Sequence, residues 1–215
     1  MQNKNSIYIL SEKKFTGAKN LPVIKINFLD KQINLSRYDA LVFTSKNAVE
    51  ALEKNGITWR DKELYSIGTG TTKAIEEKGA KATYTAKSSY GDNFAQEISK
   101  ILKDKKVLFP RAKVVTSKLN IILKSANIDL EEEIVYETVC NNNQLKKPEK
   151  NSIIIFSSPS TIECFFKKFT WDISYKAVVI GEKTASFMPS EISYILSSKQ
   201  NIPACIEVAE SLLHI

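Results

Sequence analysis

The sequence predicts an α/β protein made of two doubly wound parallel-sheet domains joined by a two-stranded antiparallel connector. Two observations carry this reading. In residues 39–52, DALVFTSKNAVEAL, an apolar run ends in small polar residues and a helical pattern follows, the order of a buried parallel strand, a tight turn and a helix N-terminus. The order recurs at 152–165, SIIIFSSPSTIECF, where Phe43-Thr44-Ser45 matches Phe156-Ser157-Ser158 and Asn47 matches Ser160. Ser45 precedes Gly68 of YSIGTGTTKAI by the same 23 residues that separate Ser158 from Gly181 of AVVIGEKTASF. Two matched units at one offset mean two copies of one supersecondary unit.

The elements follow in order. SIYIL (6–10) is a short first strand. LPVIKINFL (21–29) alternates Val23, Lys25 and Asn27 against Ile24, Ile26 and Phe28, the pattern of a half-exposed strand. In the first copy, strand 40–43 leads to helix 47–54, closed by Asn55-Gly56, and strand 64–67 leads through GTGTT to helix 72–78, closed by Gly79. A short strand at 82–85, a helix at 93–102, a strand at 107–110 and a helix at 117–125 complete it. EEEIVYETVC (131–140) is a second alternating strand. The second copy runs as strand 153–156, helix 160–168, strand 177–180, helix 184–188, strand 194–196 and helix 203–212. The expected division is 1–24 with 141–215 as one discontinuous domain and 30–134 as an inserted domain. Residues 25–29 and 135–140 are the connector strands. Strands alternating with helices favour parallel sheets, whose ligands sit at the carboxyl ends of the strands.

Composition narrows the function. Net charge is +7, but only Arg37, Arg60 and Arg111 are arginines, and no basic stripe with interleaved aromatics appears, so nucleic acid is not expected as a partner. Lysine-rich character equally serves plain solubility. Cys140, Cys164 and Cys205 lie far apart, and the sole histidine is His214, so no metal site is expected. The N-terminus has too short an apolar core for a leader peptide, and no stretch is long enough to span a membrane. A cytoplasmic monomer acting on a small molecule is the expectation.

YDALVFTSKNAV, IGTGTT, VLFPRA, VYETV, FSSPSTIECF and IGEKTA, in this order and spacing, resemble uroporphyrinogen-III synthases over nearly the whole chain. The resemblance implies two α/β domains with the active cleft between them. It implies cyclisation of hydroxymethylbilane, a linear tetrapyrrole with eight carboxylates, with inversion of the last pyrrole, loss of water and no cofactor. The chain departs from the pattern in two places: the segment between SIYIL and LPVIKINFL is too short for a helix, and Met188-Pro189 cuts short the helix after IGEKTA.

The turns supply parts suited to such a substrate. Amides at helix N-termini bind carboxylates because they lack intrahelical partners and sit at the positive end of the helix dipole. The candidate substrate-binding residues are Thr44, Ser45 and Asn47; Gly68, Thr69, Gly70 and Thr71; Arg111; Ser157, Ser158 and Ser160; and Gly181, Lys183 and Thr184. Each serine or threonine is equally well an ordinary N-cap, Arg111 an ordinary loop arginine and Lys183 a surface lysine. GTGTT lacks the third glycine of a dinucleotide fingerprint and the lysine of a P-loop. Tyr136, in the connector strand, matches by resemblance the tyrosine placed near the departing hydroxyl, where a phenol can donate a proton; otherwise it is a packing aromatic. Strand alternation would turn Tyr136 away from Val135 and Glu137. Two other readings stand beside this one: a non-catalytic two-domain anion sensor, and a different enzyme for a carboxylate substrate.

Overall fold

The computed structural model describes residues 6–87 and 90–214. Residues 1–5, which open the expected 1–24 segment and the stretch read for a leader peptide, lie outside it. Cα packing divides the chain into two compact units, Met1–Lys25 with Val139–Ile215, and Ile26–Thr138.

The elements of the first unit are β1 (Ile7–Ile9) and β2 (Lys19–Asn20), and the elements of the inserted unit follow from β3 (Ile24–Phe28) to β8 (Asp129–Cys140). The inserted unit contains β4 (Ala40–Phe43), α1 (Lys46–Lys54), β5 (Glu63–Ser66), α2 (Thr69–Glu77), β6 (Tyr84–Thr85), α3 (Gly91–Ile98), β7 (Lys106–Ala112) and α4 (Leu119–Ser125). The chain then returns to the first unit through β9 (Ile153–Phe156), α5 (Pro159–Lys168), β10 (Lys176–Val179), α6 (Glu182–Ala185), β11 (Tyr194–Leu196) and α7 (Ile202–Ser211).

In the inserted unit the sheet order is β3-β8-β7-β4-β5-β6. The β8-β7, β7-β4, β4-β5 and β5-β6 pairings are parallel. Every residue of β4 is buried, and successive residues serve opposite faces. Leu41 and Phe43 pack with Ala48, Val49 and Leu52 of α1 and Ile75 of α2. Ala40 and Val42 pack with Phe94 and Ile98 of α3 and Leu119 and Leu123 of α4. This two-sided burial is why ALVF is apolar throughout rather than alternating.

The other unit repeats the plan with sheet order β11-β10-β9-β1-β2, parallel throughout. Ile154 and Phe156 face Ile162 and Phe165 of α5, whereas Ile153 and Ile155 face Cys205, Ile206 and Ala209 of α7. An aromatic group of Phe156, Phe165, Phe166 and Trp171 fills the α5 side with edge-on and stacked contacts.

Four sequence expectations are corrected. The first is β2, which the pattern missed because Lys19 and Asn20 carry no apolar signal. The Asn20 amide donates to Ser11 O and Lys13 O, both at 2.7 Å, and closes the helix-free β1–β2 loop. The second is α2, which begins at Thr69 rather than residue 72. Gly70 and the threonines are weak helix formers, but in a first turn the amides lack intrahelical partners anyway, so the cost is small. The third is β7, which runs through Pro110 and Arg111 to Ala112 instead of ending at 110. The fourth is α3, which spans Gly91–Ile98 instead of 93–102. The expected shortening after IGEKTA is present: α6 has four residues, and the chain turns at Met188-Pro189. Cys140 and Cys164, which the spacing did not pair, form a disulfide joining the end of β8 to α5.

Candidate active site

All four sequence-selected turns lie at carboxyl ends of central parallel strands, β4 and β5 in one unit, β9 and β10 in the other. The structure sorts them into two kinds.

Serine caps the helices that follow β4 and β9. Ser45 is extended, at φ −160°, and its hydroxyl accepts from Asn47 N at 3.1 Å. Ser158, also extended, forms a reciprocal capping box with Thr161: Thr161 N donates to Ser158 Oγ at 3.4 Å and Ser158 N donates to Thr161 Oγ1 at 3.2 Å. Pro159 contributes no N–H, so little of this helix end is open to a ligand beyond the Ser160 amide. Thr44, Asn47, Ser157 and Ser160 are half-buried beside these caps.

Glycine caps the helices that follow β5 and β10. Neither Gly68 nor Gly181 supplies a side-chain cap. Gly68 O accepts from Thr71 N and Thr72 N, each at 3.0 Å, which leaves the amides of exposed Thr69 and Gly70 with no partner among the described residues. A Cβ on Gly70 would meet nothing within 4 Å, so its surface is open. A Cβ on Gly181 would press on Gln200, 2.9 Å from its amide nitrogen. The third helical residues, Thr71 and Thr184, are only 6% and 5% exposed. No described residue hydrogen-bonds either hydroxyl, and no sealed side-chain oxygen lacks a partner among the described residues, so both hydroxyl oxygens reach solvent. Lys183 is exposed on the short α6.

Tyr136 is placed differently from the expectation. Arg111 pairs with Ile134 and Ala112 pairs with Tyr136, so Val135 is an extra residue in a β-bulge. The bulge breaks the alternation, and Val135 and Tyr136 both pack into the core that contains Phe43 and α1. Tyr136 is 6% exposed, and its hydroxyl lies near the Ser45 side chain. Burial raises its pKa, opposed by the nearby Ser45 side chain, so the phenol is protonated at neutral pH.

Arg111 is also placed differently, within β7 rather than in a loop beyond it. Its Nε donates to Glu132 at 2.8 Å and its Nη1 donates to Ala112 O at 2.8 Å. Burial acts to raise the Glu132 pKa, but Lys124, Asn120 and Arg111 outweigh it and the carboxyl titrates below its ordinary range. The guanidinium is thus largely committed to the protein's own carboxylate and backbone.

Sequence reasoning missed a group under α2. Ser66, Thr72 and Thr85 bring three hydroxyls together, with Ser66 Oγ to Thr72 Oγ1 at 2.6 Å and Thr72 Oγ1 to Thr85 Oγ1 at 2.7 Å. The only available signal was a serine and a threonine at strand ends, which is too common to single out. Among the described residues, no cluster of three or more potential ligands is placed to hold a metal ion, and no helix is long and apolar enough to cross a membrane.

Comparison with known proteins gives these features a family. The chain is similar to the crystal structure of uroporphyrinogen-III synthetase from Helicobacter pylori 26695, with a TM-score of 0.84 and 27% identity, covering 97% of this chain and 99% of that one. A mutant uroporphyrinogen III synthase from the extremely thermophilic bacterium Thermus thermophilus shares the fold at a TM-score of 0.56 and 10% identity, covering 98% of each chain. A curated relative, porphyrin biosynthesis protein HemD of Ruminiclostridium josui, is 28% identical over 192 residues, 81% of this chain. The chain spans 38% of the length of that relative. The family model described as uroporphyrinogen-III synthase HemD matches residues 12–207, and the chain belongs to the uroporphyrinogen-III synthase family.

Proposed function

We propose that this chain is a uroporphyrinogen-III synthase, a cyclising lyase that converts hydroxymethylbilane to uroporphyrinogen III with inversion of the last pyrrole and loss of water. Family membership sets the reaction class. The observation that carries the chemistry is the glycine-capped end of α2, followed by nearly buried Thr71, whose hydroxyl has no partner among the described residues. A polycarboxylate is the ligand such ends suit: amides and hydroxyls donate to carboxylate oxygens, and an absent cap side chain lets the ligand take its place. The serine-capped turns add fewer donors, because their own side chains already use part of the helix end.

The substrate closes wrongly without help, so most of the catalytic task is holding one conformation. Tyr136 has the chemistry to assist departure of water. Its phenol stays protonated and lies beside Ser45 at the carboxyl end of β4. A proton donated there would leave with the hydroxyl as water, balancing the lost group.

The reading includes a finer architecture: domains 1–24 with 141–215 and 30–134, and connector strands 25–29 and 135–140. The two compact units support it. So do the bonds Leu29 N to Val135 O at 3.0 Å and Asn141 N to Val23 O at 2.8 Å, because one partner number falls as the other rises, the signature of an antiparallel pair. The working state is a cytoplasmic monomer with a small-molecule substrate.

The test is turnover of freshly made hydroxymethylbilane, scored by product isomer. Uroporphyrinogen III in excess of spontaneous closure supports the proposal. Tight binding without any change in isomer ratio would identify an anion-binding module instead.

A further inference from the structure

The α2 end that we read as a carboxylate site has no cap side chain, yet its amides need a fixed direction to be useful. In α1 and α5 the cap serine fixes the first turn. In α2 no side chain caps the turn, and the Gly68 carbonyl accepts from Thr71 N, Thr72 N and, at 3.2 Å, Thr72 Oγ1. Thr72 is anchored from beneath by fully buried Ser66 and half-buried Thr85. Ser66 and Thr85 are register partners at the ends of β5 and β6, so the sheet itself presents both hydroxyls to α2. Ser66 Oγ also lies 3.4 Å from Thr85 Oγ1 and from Tyr84 O, which closes the group into a triangle with a backbone outlet.

From this geometry we infer that Ser66, Thr72 and Thr85 are positioning residues that replace the missing N-cap and aim the Thr69 and Gly70 amides at a substrate carboxylate. The inference rests on the proposed reading for the identity of the carboxylate, but not for the ordering of the turn. Apolar side chains would fill the same space, but they could not hold the Gly68 carbonyl or resist rotation of the first turn, because only hydrogen bonds are directional. The cap position stays empty, as a ligand requires, while the turn stays rigid. A preorganised donor pair loses less freedom on binding, so the network acts on affinity rather than on the chemical step.

The test uses the full chain as Thr85→Val and Thr85→Ser, with two readouts. The first is amide hydrogen exchange, without substrate, of Thr71 and Thr72, whose N–H groups donate to the Gly68 carbonyl that the network holds. The second is the split between KM and kcat for hydroxymethylbilane. In Thr85→Val we expect exchange about fivefold faster and KM about fivefold higher, the scale of one lost hydrogen bond, with kcat within about twofold. Thr85→Ser keeps the hydroxyl and should restore both. Unchanged exchange in Thr85→Val overturns the inference, whatever happens to KM. Faster exchange in a protein whose wild type makes no uroporphyrinogen III leaves the positioning role standing and removes the proposed function. Should Thr85→Val not fold, Thr85→Ala is read by the same two measurements and the same outcomes.

Discussion

The hydroxyl of Tyr136 lies beside Ser45, the residue that caps α1, and the serine opposes the rise in pKa that burial gives the phenol. The contact depends on two local features. Ser45 takes an extended conformation at the end of β4, and the bulge at Val135 turns Tyr136 toward the same side of the sheet. One serine therefore caps the helix through Asn47 N and lies beside the phenol carried by the strand.

Replacing Tyr136 with Phe keeps the ring in its core and removes the donor. If the hydroxyl assists departure of water, losing about 2–3 kcal/mol of transition-state stabilisation slows turnover roughly 30- to 150-fold. Stability falls by no more than about 1 kcal/mol, because the ring and its packing are kept. Tyr136→Ala should instead lose several kcal/mol, about 3–5, because the ring is buried. Single-turnover rates and thermal melts of both variants decide this; a near-normal rate in Tyr136→Phe removes the hydroxyl from the chemistry.

Gly70 separates binding from folding. The site has room for a side chain, and Ala is a better helix former than Gly, so Gly70→Ala should keep or raise stability by up to about 1 kcal/mol. Gly70→Val should weaken substrate binding, because the added methyls cover the two outward amides. The check is KM beside the melting temperature. A Gly70→Val protein with unaltered KM would move the carboxylate elsewhere.

Ser45→Ala removes a cap and the hydroxyl beside Tyr136 together. A stability loss of about 1–2 kcal/mol is expected, with activity reduced but present. Chemical denaturation and turnover measure the two effects. A folded but wholly inactive Ser45→Ala protein would assign Ser45 a direct role in the reaction.

Buried tyrosines set the alkaline limit. Burial pushes the Tyr175 pKa up to about 12, and burial likewise raises those of Tyr65, where Glu63 adds to the shift, and of Tyr136. A pKa higher in the folded than in the unfolded chain gives stability that is complete below the ordinary tyrosine value of about 10 and is lost as pH rises through the folded value. Denaturation midpoints should therefore hold steady to about pH 10 and fall between about pH 10 and 12. A flat profile across that window would show these phenols to be solvated.

The Cys140–Cys164 bridge closes a loop of 24 residues in sequence separation. Loop-closure entropy assigns such a bridge roughly 3 kcal/mol. Cys140→Ser should lower the denaturation midpoint accordingly, and a reductant should reproduce the loss in the wild type but add nothing in the variant. Identical midpoints with and without reductant would show that the bridge contributes nothing to stability.

The sequence by itself determined the repeated strand-turn-helix units and placed Ser45, Gly68, Ser158 and Gly181 at corresponding turns. Those features are local: apolar runs, small polar turn residues and helix periodicity act within about ten residues of one another, and a duplication writes them twice. The shortening of α6 was legible for the same reason, because proline acts on its own helix.

Only the tertiary structure decided what each turn offers. Whether a serine hydroxyl is open or spent on a cap depends on the amide opposite it, and whether an arginine is available depends on a carboxylate one strand away, as Glu132 shows for Arg111. The burial of Tyr136 follows from a bulge created by register between β7 and β8, which no pattern within β8 reveals. The Ser66–Thr72–Thr85 group is assembled from two strand ends and a helix turn that meet only when β5 and β6 pair. Contacts between residues distant in sequence are set by how whole elements pack, and local chemistry carries no record of them.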